Sequence, residues 1–515
     1  MKKFIQLLVV AIVATTGNIY AQSGVYAGDA LRFSRTDYGS SARFKGLGNA
    51  QISLGGDISS IGGNPAGLGM FTRSEFSITP EFNNVKSDAT YFGQDTKGTK
   101  NRLNLNQAAA VWYNPVVRPK GADLNKGVVS VVWGIGYNRN NDFGGEFNYS
   151  GKNPNSSFAD DLAQRAYGST SDDLNDENNI SLPAVGYRNN LFDGLMNNEI
   201  AYAPATSLPN NQSNSELRSG STSELNFSGA INISNKLYLG GSLGFVNVNY
   251  NNDRLYRESG TIIDPGTIAN PTENNSQLGN DYNLIYRSNQ NTDGAGFNAR
   301  LGLIYKPVNA VRIGATFQSP TWMHIEETFD DVLDVDFSSG GSLIKSSNNE
   351  VYYSDFNYNL RTPYKGSVGA SVIVGKSLLL SADVDYVDYG STKLSVSDGY
   401  RDIIDENNVY IKQNYSDAIN YRVGAEYKID KFSLRAGYGV NGTPYKFDDN
   451  NLSEIKSYSG GIGYRVSQYY VDLAYQRQET HNTFSPYDLD VASDVPVADA
   501  KIARNNVFLT VGVRF

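Results

Sequence analysis

Apolar and polar residues alternate one by one along much of this chain. The clearest stretch is Tyr421–Val440. Tyr421, Val423, Ala425, Tyr427 and Ile429 alternate with Arg422, Gly424, Glu426 and Lys428; after an Asp430-Lys431 turn, Phe432, Leu434, Ala436, Tyr438 and Val440 resume the pattern. A period of two on both arms of a hairpin gives each strand one apolar and one polar face. The same reading predicts fourteen strands, at 74–84, 101–113, 127–139, 223–233, 236–250, 294–306, 310–326, 364–375, 378–389, 417–429, 431–440, 455–466, 469–480 and 503–515.

The links between these strands separate two architectures. Ser234-Asn235, Pro307–Asn309, Gly375–Ser377, Asp430 and Ser467-Gln468 are tight; the remaining link of that parity, Asn114–Lys126, is longer and holds two prolines. On the other parity the links are long and polar, at 140–222, 251–293, 327–363, 390–416, 441–454 and 481–502. A soluble sandwich would turn its apolar faces into a shared core and has no reason to gather long loops at one end. A bacterial outer-membrane barrel has an even strand number, short periplasmic turns, long external loops and an apolar face toward lipid. The expected fold is therefore all-β, a 14-stranded antiparallel transmembrane β-barrel spanning 74–515. Its last strand places Val507, Leu509, Val511, Val513 and Phe515 on one face. A terminal aromatic in that register resembles the signature that such barrels present to their assembly machinery.

Export is expected from the N-terminus. Lys2 and Lys3 precede an apolar stretch, Phe4–Ala14, and a small-residue exit ends at Ala21. This is the layout of a secretory signal peptide, residues 1–21, and is too short for a spanning helix. Its removal takes the net charge from −9 to −11. With a pI near 5.0 the chain lacks the basic stripe of a nucleic-acid binder. It has no cysteine and only two histidines, His324 and His481, so disulfides, thiol chemistry and a multi-histidine metal centre are not expected. Neither histidine has a recognisable Ser-Asp setting, the acidic pairs Asp172-Asp173, Asp330-Asp331 and Asp448-Asp449 lack a calcium-loop pattern, and two loop histidines offer haem no axial pair. No catalytic residue and no cofactor are expected.

Residues 22–73 break the alternation. They are rich in glycine, with Gly55-Gly56-Asp57 and then Gly62-Gly63-Asn64-Pro65-Ala66-Gly67-Leu68. A barrel of fourteen strands encloses more space than its side chains fill. A compact plug inside the lumen would close it, with glycines letting its backbone approach the wall.

The run Asn64-Pro65-Ala66-Gly67-Leu68 after a small-residue segment resembles the hatch signature of FadL-type outer-membrane transport proteins, which carry long-chain fatty acids or aromatic hydrocarbons. Gly134–Arg139, Leu301–Pro307, Arg312–Pro320 and Asp383–Tyr389 are similar to further stretches of that family. The resemblance spans the chain beyond the signal peptide and implies a fourteen-stranded barrel with an N-terminal lumenal hatch. It also implies passive uptake of hydrophobic small molecules, caught at the outer loops, gated by a hatch shift and released sideways at a kinked third strand. The long segment 140–222, with helix-like Ser157–Tyr167, departs from the family and leaves outer capture open.

Candidate residues follow. The third strand turns Ser130, Val132, Gly134, Gly136 and Asn138 to the lumen. Gly134 and Gly136 either weaken the strand at a bend or let the hatch pack closely; with Asn64, Pro65, Ala66 and Gly67 they are the expected hatch and gate. An acidic ligand would need a cation, and arginine suits bidentate carboxylate recognition. The alternation points Arg300, Arg312, Arg422, Arg435 and Arg465 inward, together with Asp383, Asp385, Glu426 and Asp472. Arg300, Arg422 and Arg435 are the candidate ligand-binding residues. The competing reading pairs these arginines with those acids, or with Asp37 and Asp57, since a charge in a narrow lumen needs a partner. The expected partners are outer-membrane lipid, a hydrophobic small-molecule ligand and the assembly machinery, which meets Phe515, with no nucleic acid; the chain is expected to act as a monomer. Two other roles remain open: a shuttle or docking subunit of a protein-secretion system, implied by some members of the superfamily, and an open porin.

Overall fold

The structure is a computed structural model and describes residues 25–515 apart from 120–122, 124–125, 196–197, 265–275, 398 and 449. The expected signal peptide lies outside the described residues.

Eighteen strand segments form one antiparallel sheet: β1 (Glu75–Tyr91), β2 (Gln94–Pro115), β3 (Val128–Asp142), β4 (Gly145–Asn153), β7 (Asn210–Ile233), β8 (Leu237–Thr261), β9 (Asp281–Val308), β10 (Val311–Gln318), β11 (Trp322–Ser339), β12 (Ser342–Arg361), β13 (Lys365–Val374), β14 (Leu378–Asp388), β15 (Lys393–Ser395), β16 (Asp417–Ile429), β17 (Phe432–Asn441), β18 (Ile455–Val466), β19 (Tyr469–Phe484) and β20 (Ala498–Arg514). A small separate hairpin consists of β5 (Phe192–Leu195) and β6 (Asn198–Pro204). β1 pairs with β2 on one side and β20 on the other, so the sheet closes. β3/β4, β10/β11 and β12/β13 are each one stave broken in two, and β15 adds three residues beside β12, which leaves a closed barrel of fourteen staves.

Each of the fourteen strands read from the alternation has its counterpart in the wall, and the turn residues explain the tight links. Ser234 and Asn235 both adopt positive φ, 57° and 56°, the pair a two-residue hairpin turn matched to strand twist requires. Asp430, Ser467 and Gly375 do the same singly. The outward face is a belt of exposed apolar side chains, including Phe76, Ile78 and Phe82 on β1 and Val507, Leu509 and Val511 on β20. Leaving such side chains in water would be costly; in acyl chains they are buried.

The connections 251–293 and 327–363 differ from their reading as loops. β8 and β9 stay paired from Leu237↔Tyr305 out to Thr261↔Asp281, and β11 and β12 out to Ser339↔Ser342. The reason is that hydropathy alternation reports lipid, not hydrogen bonding. Above the apolar belt the outward residues of β8 become Asn247, Asn249 and Asn251, so the pattern fades while the ladder continues. Of 140–222, β4 and the upper part of β7 also belong to the wall. The rest forms an outer cap with three short helices, α3 (Phe158–Ala166), α4 (Ser171–Asn175) and α5 (Leu182–Arg188). α3 is started by a capping box, in which Ser157 N and Oγ donate to Asp160 Oδ2 at 2.7 and 2.9 Å. Phe158, Leu162, Val185 and Phe192 bury themselves against Tyr256, Leu284 and Phe337 of the extended strands, a core outside the membrane.

Inside the barrel lie α1 (Val25–Ser34), α2 (Ala42–Gly46) and 3-10 turns at Ile58–Ile61 and Pro65–Met70. The segment starts at the outer end, where Ala27 N donates to Asn407 Oδ1 (2.9 Å) of the outer helix α6 (Arg401–Asn414). It descends to the opposite end, where Ala66 packs with Tyr238 and Ile304.

Candidate functional site: the plugged lumen and a seam in its wall

The lower lumen is closed by contacts that the glycine-rich segment makes possible. Asn64 caps the Pro65–Met70 turn by accepting from Ala66 N (3.1 Å), and its Nδ2 donates to the carbonyls of Ile52 (2.6 Å) and Leu303 of the wall (3.2 Å). Pro65 fills the first position of that turn, where no N–H is needed. Gly67 packs so tightly on Gly55 and Ser60 that a Cβ there would lie 2.8 Å from Gly55 Cα. From the wall, Asp383 Oδ2 accepts from the backbone N of Gln51 (2.5 Å) and Ile52 (2.8 Å). Gly134 and Gly136 sit against Ile61: a Cβ on them would come within 3.0 and 3.2 Å of its side chain. β3 runs unbroken through both glycines, paired with β2 and β7, so they serve close packing at this point of the wall.

Arg300, Arg422 and Arg435 face inward and are met by acids. Arg300 forms a two-pronged pair with Glu224 (2.8 and 2.7 Å), with Asn226 (2.8 Å) and Gln318 (3.1 Å) completing its shell. Arg422 donates to Asp385 (2.6 Å) and Asn441 (3.1 Å) and lies over the Tyr38 ring. Arg435 bridges Glu426 (2.7 Å) and Asp472 (2.6 Å), and Glu426 also takes Arg43 of α2 (2.9 and 3.2 Å). Arg43 also stands 3.8 Å from Asp57, and Lys45 pairs with Asp37 (3.2 Å). Arg312 donates to the Leu54 carbonyl, and Arg465 lies over Tyr470. Most of these charges brace the wall itself; Arg43 with Glu426, Arg312 with the Leu54 carbonyl and Arg422 over Tyr38 fasten the internal segment to it.

Two spaces remain. A cleft of about 30 Å³, bordered by Phe33, Glu224, Arg300 and Met323, has room for little more than water. A cavity of about 680 Å³ lies between α1 and the staves β1, β2, β3/β4 and β18–β20. That volume is in the range of small-molecule sites. Arg139, Asn140, Asn141, Asp142 and Phe143 of the third stave line it.

Beside the cavity the wall is incomplete. β2 and β3 are paired from Pro115↔Ser130 up to Gln107↔Asn138, and β4 pairs only with β7. Above Gln107, β2 and the third stave run side by side without ladder bonds. The stave bends there: register shifts between Arg139 and Asn141, and β3 ends before Phe143-Gly144. Side chains bridge the gap. The Asp142 carboxylate accepts from Asn104 of β2 (2.8 Å), Asn83 of β1 (3.2 Å) and Arg139 (2.9 Å), and its other oxygen from Gly144 N (2.7 Å). Leu103 and Leu105 are exposed beside it, so the seam lies next to apolar outer surface. The sequence singles out neither Asn83, Asn104 nor Asp142, which sit among other polar residues, and brings in Arg139 only at the end of the family-like stretch Gly134–Arg139; Gly144-Gly145 marks a break in a strand.

Above the belt two buried carboxyl groups hold the outer parts together. Glu258 accepts from Phe158 N at the start of α3 (2.9 Å), Tyr256 (2.6 Å), Tyr282 (2.8 Å) and Gln212 (3.1 Å). Burial pushes its pKa up to about 7, against the pull of these donors. Glu327 of β11 and Asp29 of α1 share one amide, Gln290 Nε2, at 2.6 and 2.7 Å. Burial, and then the Asp29 charge, raise Glu327 well above the usual carboxyl range.

The arrangement is a stoppered tube with a cavity behind a side-chain-latched seam. Among the described residues it assembles no metal-ligand cluster. Comparison with known proteins agrees with this. The family described as "Outer membrane protein transport protein (OMPP1/FadL/TodX)" matches residues 195–510. No curated protein matches the chain. Among solved structures, a FadL homologue of Pseudomonas aeruginosa is similar over 93% of this chain and 99% of its own, at 13% identity and a TM-score of 0.53. The P. putida toluene transporter TodX is similar over the same shares, at 14% identity and a TM-score of 0.50. At such identities the likeness is one of fold. The family match covers more than half of the chain and the closed fourteen-stave barrel accords with it: the protein belongs to the OMPP1/FadL/TodX family, outer-membrane transport proteins and not enzymes.

Proposed function

We propose that the protein takes up small hydrophobic or amphiphilic molecules passively, through the cavity beneath its outer cap and then sideways between β2 and the third stave. The lower lumen is stoppered, so a direct path to the periplasm would require residues 25–70 to give up many buried contacts. The seam is held by the hydrogen bonds of the Asp142 carboxylate and a longer Thr96–Ser150 hydroxyl contact (3.4 Å). The observation that carries the reading is that the residues of the bent stave, Arg139 to Phe143, are at once the lining of the cavity and one lip of the seam. Transfer into the membrane is driven by burial of apolar surface and needs no energy source. In this reading Arg422, over Tyr38, and Arg435, which shares Glu426 with Arg43, seat the internal segment, Arg300 braces the wall, and Asn64, Pro65, Ala66, Gly67, Gly134 and Gly136 form the segment's tightest contacts, while ligand contact falls to the cavity. Phe515, 68% exposed at the closing stave, is free to be read by the assembly machinery, and the barrel acts as a monomer.

Because the chain has no cysteine, the seam can be locked without ambiguity. Asn104→Cys and Asp142→Cys, bridged by a short reducible bis-thiol linker, should abolish uptake by whole cells, and reductant should restore it. Uptake that continues through a fully bridged seam would refute lateral release.

A further inference from the structure

We infer that the periplasmic mouth of the barrel is a docking site for an acidic segment of a periplasmic protein. The site lies at the end of the molecule away from the outer cap, and it does not depend on lateral release.

The short turns mark the periplasmic end. There a tyrosine followed by a base recurs on three staves: Tyr305-Lys306 on β9, Tyr427-Lys428 on β16 and Tyr464-Arg465 on β18. The alternation turns each tyrosine outward, where it is exposed, and each base inward to the mouth. Arg312, across the hairpin from Lys306, also faces inward, and Lys236, Lys376 and Lys431 stand in the turns. Among the described residues none of these seven bases has a carboxylate within 4.0 Å. The inward acids of this end are already engaged: Glu75 by Arg514 (2.6 Å), Glu426 by Arg43 and Arg435 (2.9 and 2.7 Å), and Asp472 by Arg435 (2.6 Å). Higher in the lumen Arg300, Arg422 and Arg435 all have acids; the mouth is where that rule stops. The chain as a whole carries −9, so this excess of base is local. Like charges gathered without counterions repel one another, and an anionic partner relieves the repulsion.

Facing decides the class of partner. Lipid headgroups ring the outside of the barrel, where the tyrosines form the interfacial girdle. Lys306, Arg312, Lys428 and Arg465 look the other way, into the mouth, where a polypeptide segment can enter and headgroups do not pack. Lysine meets carboxylates as a point charge and arginine as a fork, so a segment rich in Asp or Glu suits both. The site also reaches the stopper. Ile304, the next inward residue above Lys306, packs with Ala66. Glu426, the next above Lys428, holds Arg43 of α2, and Arg312 itself donates to the Leu54 carbonyl. A segment docked at the mouth therefore lies directly beneath the contacts that seat residues 25–70.

The test places the full barrel in nanodiscs of zwitterionic phosphatidylcholine and reads the anisotropy of a fluorescent oligo-glutamate peptide. The wild type should bind this probe and ignore an oligo-glutamine of the same length. A triple variant, Lys306→Gln with Lys428→Gln and Arg465→Gln, should bind about tenfold more weakly. A second triple, Lys236→Gln with Lys376→Gln and Lys431→Gln, removes the same charge from the turns and should stay within about threefold of the wild type. No binding by the wild type, or an equal loss in both triples, overturns the inference. A wild type that ignores the probe but retains phosphatidylglycerol through purification, lost from the mouth triple, also overturns it and makes the rim a headgroup site. Heat-modifiable migration shows whether each barrel is closed. If the mouth triple is not, Lys428→Gln and Arg465→Gln made singly decide the matter: each should weaken binding about twofold, and no change in either overturns the inference.

Discussion

The seat of the internal segment can be tested at two adjacent glycines of β8. Gly240 points inward, and a Cβ there would lie 2.5 Å from Ala66 N and 2.6 Å from Pro65 O, both rigid backbone atoms. Gly241 points to lipid, and its nearest foreign atoms would be 3.9 Å away. Ala fits a strand at either position. Gly240 is paired with Ala230 on one side and Gly302 on the other, so the wall cannot easily retreat, and the strain falls on the Pro65–Met70 turn. Overpacking of this kind costs about 1–3 kcal/mol. Charged against the seated state, that raises the unseated fraction by about 5–150-fold. Single-channel recording in planar bilayers reads it directly: Gly240→Ala should show open events at that multiple of the wild-type frequency, and Gly241→Ala should match the wild type. Heat-modifiable electrophoretic migration establishes first that both barrels are closed. If Gly240→Ala, correctly folded, is as silent as Gly241→Ala, then this turn is not what blocks the lumen.

Two further outcomes follow from buried charge. Arg435→Met leaves Glu426 with Arg43 but strands Asp472 without a cation, and loss of one partner of a buried pair costs about 3–5 kcal/mol; the urea midpoint of the folded barrel should fall accordingly. Glu258 holds its proton up to about pH 7 when the cap is folded, whereas an unfolded glutamate loses it near 4.5. Between those pH values the folded form binds more protons, so cap stability falls as pH rises, by roughly 3 kcal/mol in all, and levels off above about 7. The hydrogen-exchange protection factors of residues 154–195, taken relative to the intrinsic rate at each pH, should fall across that window in the wild type and stay flat in Glu258→Gln.

How legible was this molecule? The alternation in Tyr421–Val440 and its thirteen counterparts is imposed by lipid on one side and a wet lumen on the other, so barrel, strand number and strand facing are written in the order of residues. The break at Asn64–Leu68 likewise marks a segment that cannot be wall. The alternation also turned Arg300, Arg422 and Arg435 inward, but it could not say whom they meet, because Glu224, Asp385 and Asp472 come from other staves. Polar extensions such as Asn251–Thr261 read as loops because above the membrane a strand no longer needs an apolar face.

By itself, then, the order of residues determined the barrel, its orientation and the presence of something inside it, since each is a local response to a solvent boundary. Only the tertiary structure decided where the wall is unstitched, which cations are spent on acids and which, like Arg465 at the mouth, are left without one among the described residues. Those depend on pairings between residues hundreds of positions apart, such as Asn83 with Asn506, and no local pattern encodes them.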